Sequence, residues 1–164
     1  STDNKIISLD DIKGENGTLI MFICNHCPYV KAITKEIVED CNELKKIGIN
    51  SVAICSNDFI NYPEDSFDNM IKFSKDNQFS FPYLQDETQK IAKTYDAVCT
   101  PDFFGYDKDL GLQYRGRLRE LKNFIPVKDG ESDLLKAMKQ IAETGKGPQD
   151  QIPSAGCGIK WKYN

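Results

Sequence analysis

"LIMFICNHCPYVKAI", residues 19–33, decides how the rest of the chain is read. Residues 18–24 form an unbroken apolar run bounded by turn residues, as expected of a strand buried on both faces. Cys24 and Cys27 follow at C-x-x-C spacing, with the chain's one histidine, His26, between them. Pro28 suits the first position of a helix, because its φ is fixed near the helical value and its missing N–H would be unpaired there anyway. Val30, Ile33, Ile37, Cys41, Leu44 and Gly48 then recur at three- and four-residue steps, which predicts one amphipathic helix. Cys27 falls at its N-cap, facing unpaired backbone N–H groups and the positive end of the helix dipole. Such a place lowers a thiol from about 8.5 into the range of roughly 3.5–7.5. His26 and Lys31 could add positive charge. The stretch is therefore a redox dithiol, a metal clamp, or one reactive cysteine with a bystander.

Outward from it the elements alternate. "KIISL" (5–9) reads as a short strand and "DDIKGENG" (10–17) as a turn. "INSVAIC" (49–55) is a second buried strand, and Pro63 with Glu64 and Asp65 starts a helix continued by Phe67, Met70, Ile71 and Ser74. "FPYLQ" (81–85) is extended, and Asp86 to Thr88 can cap a helix running to about Tyr95. "DFFGY" (102–106), "DKDLG" and "LQYRGR" (112–117) predict a hairpin. Leu134, Leu135, Met138, Ile141 and Ala142 mark a last helix from about Ser132 to Glu143. Together these predict an α/β chain: a central mixed sheet with helices on both faces, in a single domain over 1–164. A Gly/Pro-rich tail covers 145–164 and ends in "CGIKWKYN", which could dock as an aromatic plug or meet a partner.

Composition narrows the function classes. The chain of 164 residues is 40% hydrophobic and carries 21 Lys+Arg against 25 Asp+Glu, a net charge of −4. That charge gives no electrostatic case for nucleic acid or an anionic membrane. The run Leu19–Cys24 is far too short to span a bilayer, and no basic, apolar leader precedes Ser1. Six irregularly spaced cysteines do not make a disulfide scaffold, so mostly free thiols in a reducing, cytoplasmic setting are expected. Cys41 and Cys55 fall on core positions, whereas Cys99 stands two residues before Pro101 and Cys157 lies between two glycines.

"NHCPYV", "YPEDS", "CTPDFF" and "GCGIKWK" together resemble the peroxiredoxin-like branch of the alkyl hydroperoxide reductase/thiol-specific antioxidant (redoxin) family. That resemblance covers nearly the whole chain and implies a thioredoxin-like fold, although such proteins usually carry an extra strand before "TDNKIISLDD". Laid without gaps on the thioredoxin motif W-C-G-P-C-K, Cys27 rather than Cys24 takes the nucleophile's position. Val30 takes that of the second cysteine, Cys24 the last strand residue, and Met21 that of a buried Asp. "CTPDFF" resembles the cis-proline loop, which implies that Thr100 and Pro101 bind substrate, with the Thr100 backbone left to pair with an extended ligand.

The resemblance implies a thiol-dependent oxidoreductase: Cys27 attacks a disulfide or a peroxide, and a second thiol or an external thiol reductant resolves the product. The peroxiredoxin pattern P-x-x-x-T-x-x-C is not met, because Ile20 and Cys24 hold the Pro and Thr places, although Arg115, Arg117 or Arg119 could supply charge. Disulfide exchange is therefore preferred to antioxidant peroxide reduction. Among resolving thiols Cys24 ranks first, Cys157 second and Cys99 third. The alternative is a copper or zinc module using Cys24, His26 and Cys27, opposed by the lack of a second C-x-x-C or another histidine. A cysteine hydrolase ranks lowest, because a Cys–His pair must meet in space and His26 only adjoins Cys27 in sequence. No cofactor or resident metal is expected.

Overall fold

The apolar run becomes the middle strand of a five-stranded sheet. A computed structural model of the chain describes residues 1–162; Tyr163 and Asn164, the end of the expected tail motif, lie outside the described residues. In chain order the elements are α1 (Leu9–Ile12), β1 (Gly17–Phe22), α2 (Pro28–Lys31), α3 (Thr34–Lys46) and β2 (Ile49–Cys55). A 3-10 turn, Pro63–Asp65, leads into α4 (Phe67–Asp76), followed by β3 (Tyr83–Gln85), α5 (Lys90–Tyr95), β4 (Cys99–Thr100), β5 (Asp102–Tyr106) and β6 (Leu112–Gly116). The chain continues with β7 (Leu121–Lys122), β8 (Ile125–Pro126), α6 (Asp133–Thr144) and β9 (Cys157–Gly158).

The sheet order is β3-β2-β1-β5-β6, parallel from β3 to β1 and antiparallel from β1 to β6. Every residue of β1 is buried, as a strand covered on both faces requires. Leu19 and Met21 point to a core shared with α3, α4 and α6, whereas Ile20 and Phe22 join a second core with Ile12 and Ala92. The expected mixed sheet with helices on both faces is what the chain forms.

Three local expectations are corrected. "KIISL" is not a strand: Ser8 caps α1, its N–H donating to Asp11 Oδ2 at 2.8 Å. The long helix after Cys27 is broken into α2 and α3. A continuous helix would bond the Val30 carbonyl to the Thr34 N–H, but the Thr34 hydroxyl takes that carbonyl at 2.7 Å, a competing bond that bends helices. The helix expected from Pro63 begins instead at Phe67, capped by Ser66, whose hydroxyl accepts from Asn69 N–H at 3.2 Å. Two small pairings, β7 with β8 and β4 with β9, have no counterpart among the expected elements.

Candidate active site

The parallel strands β1 and β2 end at the same edge of the sheet, and the register Phe22↔Asp102 brings the start of β5 there too. Crevices outside the carboxyl ends of parallel strands are where α/β folds place ligands. Cys24 and Cys27 leave β1 at this edge, and Thr100 and Pro101 enter β5 there, with the Thr100–Pro101 peptide cis.

Cys27 is the N-cap of α2, with extended φ, ψ of −67° and 126° and Pro28 as the first helical residue. Its backbone carbonyl accepts from the N–H groups of Val30 (3.0 Å) and Lys31 (2.9 Å). Because α2 is a single turn, its macrodipole is small, and the Cys27 sulfur depends on nearer groups. As a thiol it donates to the Thr100 carbonyl at 3.4 Å. Its thiolate form is favoured first by the neighbouring Cys24 thiol, then by the Cys157 thiol and the main-chain N–H groups of Val30 and Cys157. These donors outweigh the cost of burying the charge and bring Cys27 down to about 4. His26 and Lys31 are not among its causes.

The companion thiols move the other way. Cys24 is pushed above the ordinary thiol range because the Cys27 thiolate favours its protonated form, because it lies buried, and because it faces the Asp65 carboxylate. Its sulfur also lies 3.5 Å from the Thr100 hydroxyl. Cys157 is raised to about 11 by burial and by the Cys27 thiolate. Cys99 points elsewhere, toward the carbonyls of Pro101 (3.8 Å) and Ser154 (4.0 Å). Cys41 and Cys55 are core cysteines, each raised by burial to about 12.

Under this pair sits a buried carboxylate. Asp65 accepts the Asn25 N–H (2.8 Å) on one oxygen and Asn57 Nδ2 (2.8 Å) on the other, with His26 Nδ1 2.6 Å from that second oxygen. Asn25 Oδ1 accepts the Tyr83 hydroxyl at 2.8 Å. The loop 24–27 is thus tied to the 3-10 turn and to β3. None of Asp65, Asn25, Asn57 or Tyr83 stood among the expected site residues; "YPEDS" and "NHCPYV" held Asp65 and Asn25 only as parts of the motifs that carry the resemblance.

Two further expectations are revised. The Thr100 backbone is not left open, because β4 pairs antiparallel with β9, Thr100 opposite Cys157. The three arginines serve other partners: Arg115 Nη2 donates to Asp102 Oδ2 (3.0 Å), Arg117 Nε to Asp133 Oδ2 (2.7 Å) and Arg119 Nε to Glu36 Oε2 (2.5 Å). For a metal, the group with donor atoms mutually within 4.8 Å is Cys24, His26 and Asp65, so Cys27 is not a member of it. Those donors suit an ion poorly: Cys24 holds its proton, and both Asp65 oxygens already accept hydrogen bonds.

Fold and site together define a thioredoxin-like protein built around one N-cap cysteine. The profile of the AhpC/TSA family matches residues 1–118, and the chain belongs to that family. It is similar to an uncharacterized conserved protein from Geobacillus kaustophilus at 44% identity, TM-score 0.93, over 99% of this chain and 86% of that one. A hypothetical protein from Sinorhizobium meliloti 1021 matches at 32% identity and TM-score 0.91, over 100% of this chain and 90% of that one. A secreted Mycobacterium tuberculosis disulfide oxidoreductase homologous to E. coli DsbE shares the fold at 15% identity and TM-score 0.58, over 69% of this chain and 77% of that one. No curated protein matches the chain. Among the described residues no helix is long and apolar enough to cross a membrane.

Proposed function

We propose that the chain is a thiol–disulfide oxidoreductase in which Cys27 is the nucleophile and Cys24 the thiol that stabilises it. The Thr100–Pro101 turn forms the wall against which the substrate sulfur lies. One observation carries this reading: Cys27 caps α2 ahead of Pro28, with its sulfur 3.4 Å from the Thr100 carbonyl beside the cis Thr100–Pro101 peptide. Membership of the AhpC/TSA family supports redox chemistry, and the likeness to the M. tuberculosis disulfide oxidoreductase is consistent with it. Cys27 thiolate attacks one sulfur of R–S–S–R, the S–S bond breaks, RS⁻ leaves, and a mixed disulfide remains. A second thiol then displaces the remaining RS⁻, and an external thiol reductant restores the reduced protein.

Antioxidant peroxide reduction receives less support. The residue that would orient a peroxide in peroxiredoxins is here Cys24, a buried thiol beside the Thr100 hydroxyl, and Arg115, Arg117 and Arg119 are held by carboxylates.

The test is Cys27→Ser assayed with dithiothreitol and a model disulfide. Serine conserves shape and is favoured at an N-cap, so the variant is expected to melt within a few degrees of the parent while losing turnover. Retained turnover overturns the assignment.

A further inference from the structure

Residues 148–162 run over the carboxyl edge of the sheet as a strap with anchors on several elements. The Arg117 N–H donates to the Ile152 carbonyl (2.9 Å), Ser154 Oγ to the Pro101 carbonyl (2.5 Å) and the Ile159 N–H to the Val98 carbonyl (3.0 Å). Beyond β9, the Asp58 N–H donates to the Lys160 carbonyl (2.8 Å) and the Lys162 N–H to Gln89 Oε1 (3.0 Å). Between these anchors β9 fills the edge of β4, where an extended peptide would have to add. The approach is close: a Cβ on Gly156 would stand 2.2 Å from the Thr100 carbonyl oxygen. The register brings Cys157 opposite Thr100, whose carbonyl lies 3.4 Å from the Cys27 sulfur.

We infer that Cys157, carried on β9 where an external peptide would pair, is the in-chain thiol that resolves the Cys27 mixed disulfide, and that the oxidised substrate is a small disulfide. This deepens the proposed function and rests on Cys27 as nucleophile. Cys157 lies beyond residues 1–118, so the family match assigns it nothing.

Cys24 also adjoins Cys27, but two facts favour Cys157. Cys24 and Cys27 are both sealed, 1% and 0% exposed, so a bond between them offers no sulfur to a reductant, whereas Cys157 is half-buried. Cys24 sits at the end of the central strand against the Thr100 hydroxyl, whereas Cys157 lies between Gly156 and Gly158, where the main chain can shift. Beside Pro101 there remains a cavity of about 420 Å³ bordered by Tyr29, Phe124 and Ser154, the size of a small-molecule site.

The electrons balance. After Cys27 takes one half of R–S–S–R, the Cys157 thiolate attacks the Cys27 sulfur, the Cys27–SR bond breaks, and RS⁻ leaves with the proton Cys157 gave up. Two protein thiols are oxidised to one disulfide and R–S–S–R is reduced to two RSH. An external dithiol reverses the protein's change by exchange at the half-buried Cys157 sulfur.

The experiment treats the reduced full chain with bis(2-hydroxyethyl) disulfide, quenches with acid, and maps linkages by non-reducing mass spectrometry. The parent and Cys24→Ser are expected to close Cys27–Cys157. Cys157→Ser is expected to accumulate the Cys27 mixed disulfide with a lifetime about tenfold longer or more, since an in-chain partner is lost. A disulfide-linked pair of linear peptides is expected to react at least about tenfold more slowly than the small probe, because the strap must first be displaced. A dominant Cys24–Cys27 bond, a mixed disulfide that persists in the parent, or equal rates for the two probes overturns the inference and leaves Cys27 as nucleophile. No adduct at Cys27 in any variant overturns the proposed function itself.

Discussion

At the scale of single residues the site depends on a proton shared unequally between sulfurs. Cys27, held at about 4, stays a thiolate across the neutral range, whereas Cys99, raised to about 11, stays a thiol. Alkylation of Cys27 by iodoacetamide is therefore expected to stay near its plateau from pH 8 down to about pH 5, while that of Cys99 rises with pH throughout. Cys24→Ala removes the first donor, and a hydrogen bond to a charged group is worth about 1.5–3 kcal/mol. The midpoint of the Cys27 profile is expected to move up by about 1–2 pH units, at 1.36 kcal/mol per unit, and Cys24→Ser, which keeps a donor, to restore most of it. An unmoved midpoint in Cys24→Ala would falsify the donor role. The N-cap position of Cys27 was legible in the sequence because Pro28 marks the helix start locally. The causes of its acidity were not, since one thiol and one N–H come from Cys157, far along the chain, and His26 turns to Asp65.

At the scale of elements, strands were legible where burial on both faces forces a continuous apolar run, as in β1 and β2. "KIISL" fails that test, since Ile6 is fully exposed, and the Ser8–Asp11 capping box was the signal that could have corrected it. The break between α2 and α3 is invisible to periodicity, because Val30 and Ile37 stay buried on either side of it and Ile33 within it. The strap was unreadable for another reason: a two-residue strand has no period, and its hold comes from Asp58, Gln89 and Val98, which are far away in sequence. Gly156 is its weak point. Gly156→Ala sets a methyl against the Thr100 carbonyl and is expected to lift β9, so that Cys27 alkylates about tenfold faster if the clash costs the strap about 1.4 kcal/mol. Stopped-flow alkylation of both proteins checks this, and an unchanged rate would mean that β9 does not cover the nucleophile.

At the scale of the whole molecule, one buried ion pair joins the first half of the chain to the second. Arg119 meets Glu36 of α3, with side chains 8% and 7% exposed, and also donates to the carbonyls of Val127 (2.9 Å) and Gly130 (2.8 Å). Arg119→Gln leaves the Glu36 charge buried without its partner, which is expected to cost about 3–5 kcal/mol in denaturant unfolding. Glu36→Leu with Arg119→Met, which removes both charges, is expected to recover most of that loss; a double variant as unstable as the single one would show that packing, not charge, is at stake. The strap carries a consequence for the order in which the protein is made. Cys27 and its α2 turn precede β9 in the chain, so synthesis delivers the nucleophile long before Cys157 and the residues that tie β9 to Asp58 and Gln89. Domains generally fold as units while synthesis proceeds from the N-terminus. Until β9 is made, Cys27 lacks both its cover and the support of Cys157, so the site gains its guard and its full acidity in one step.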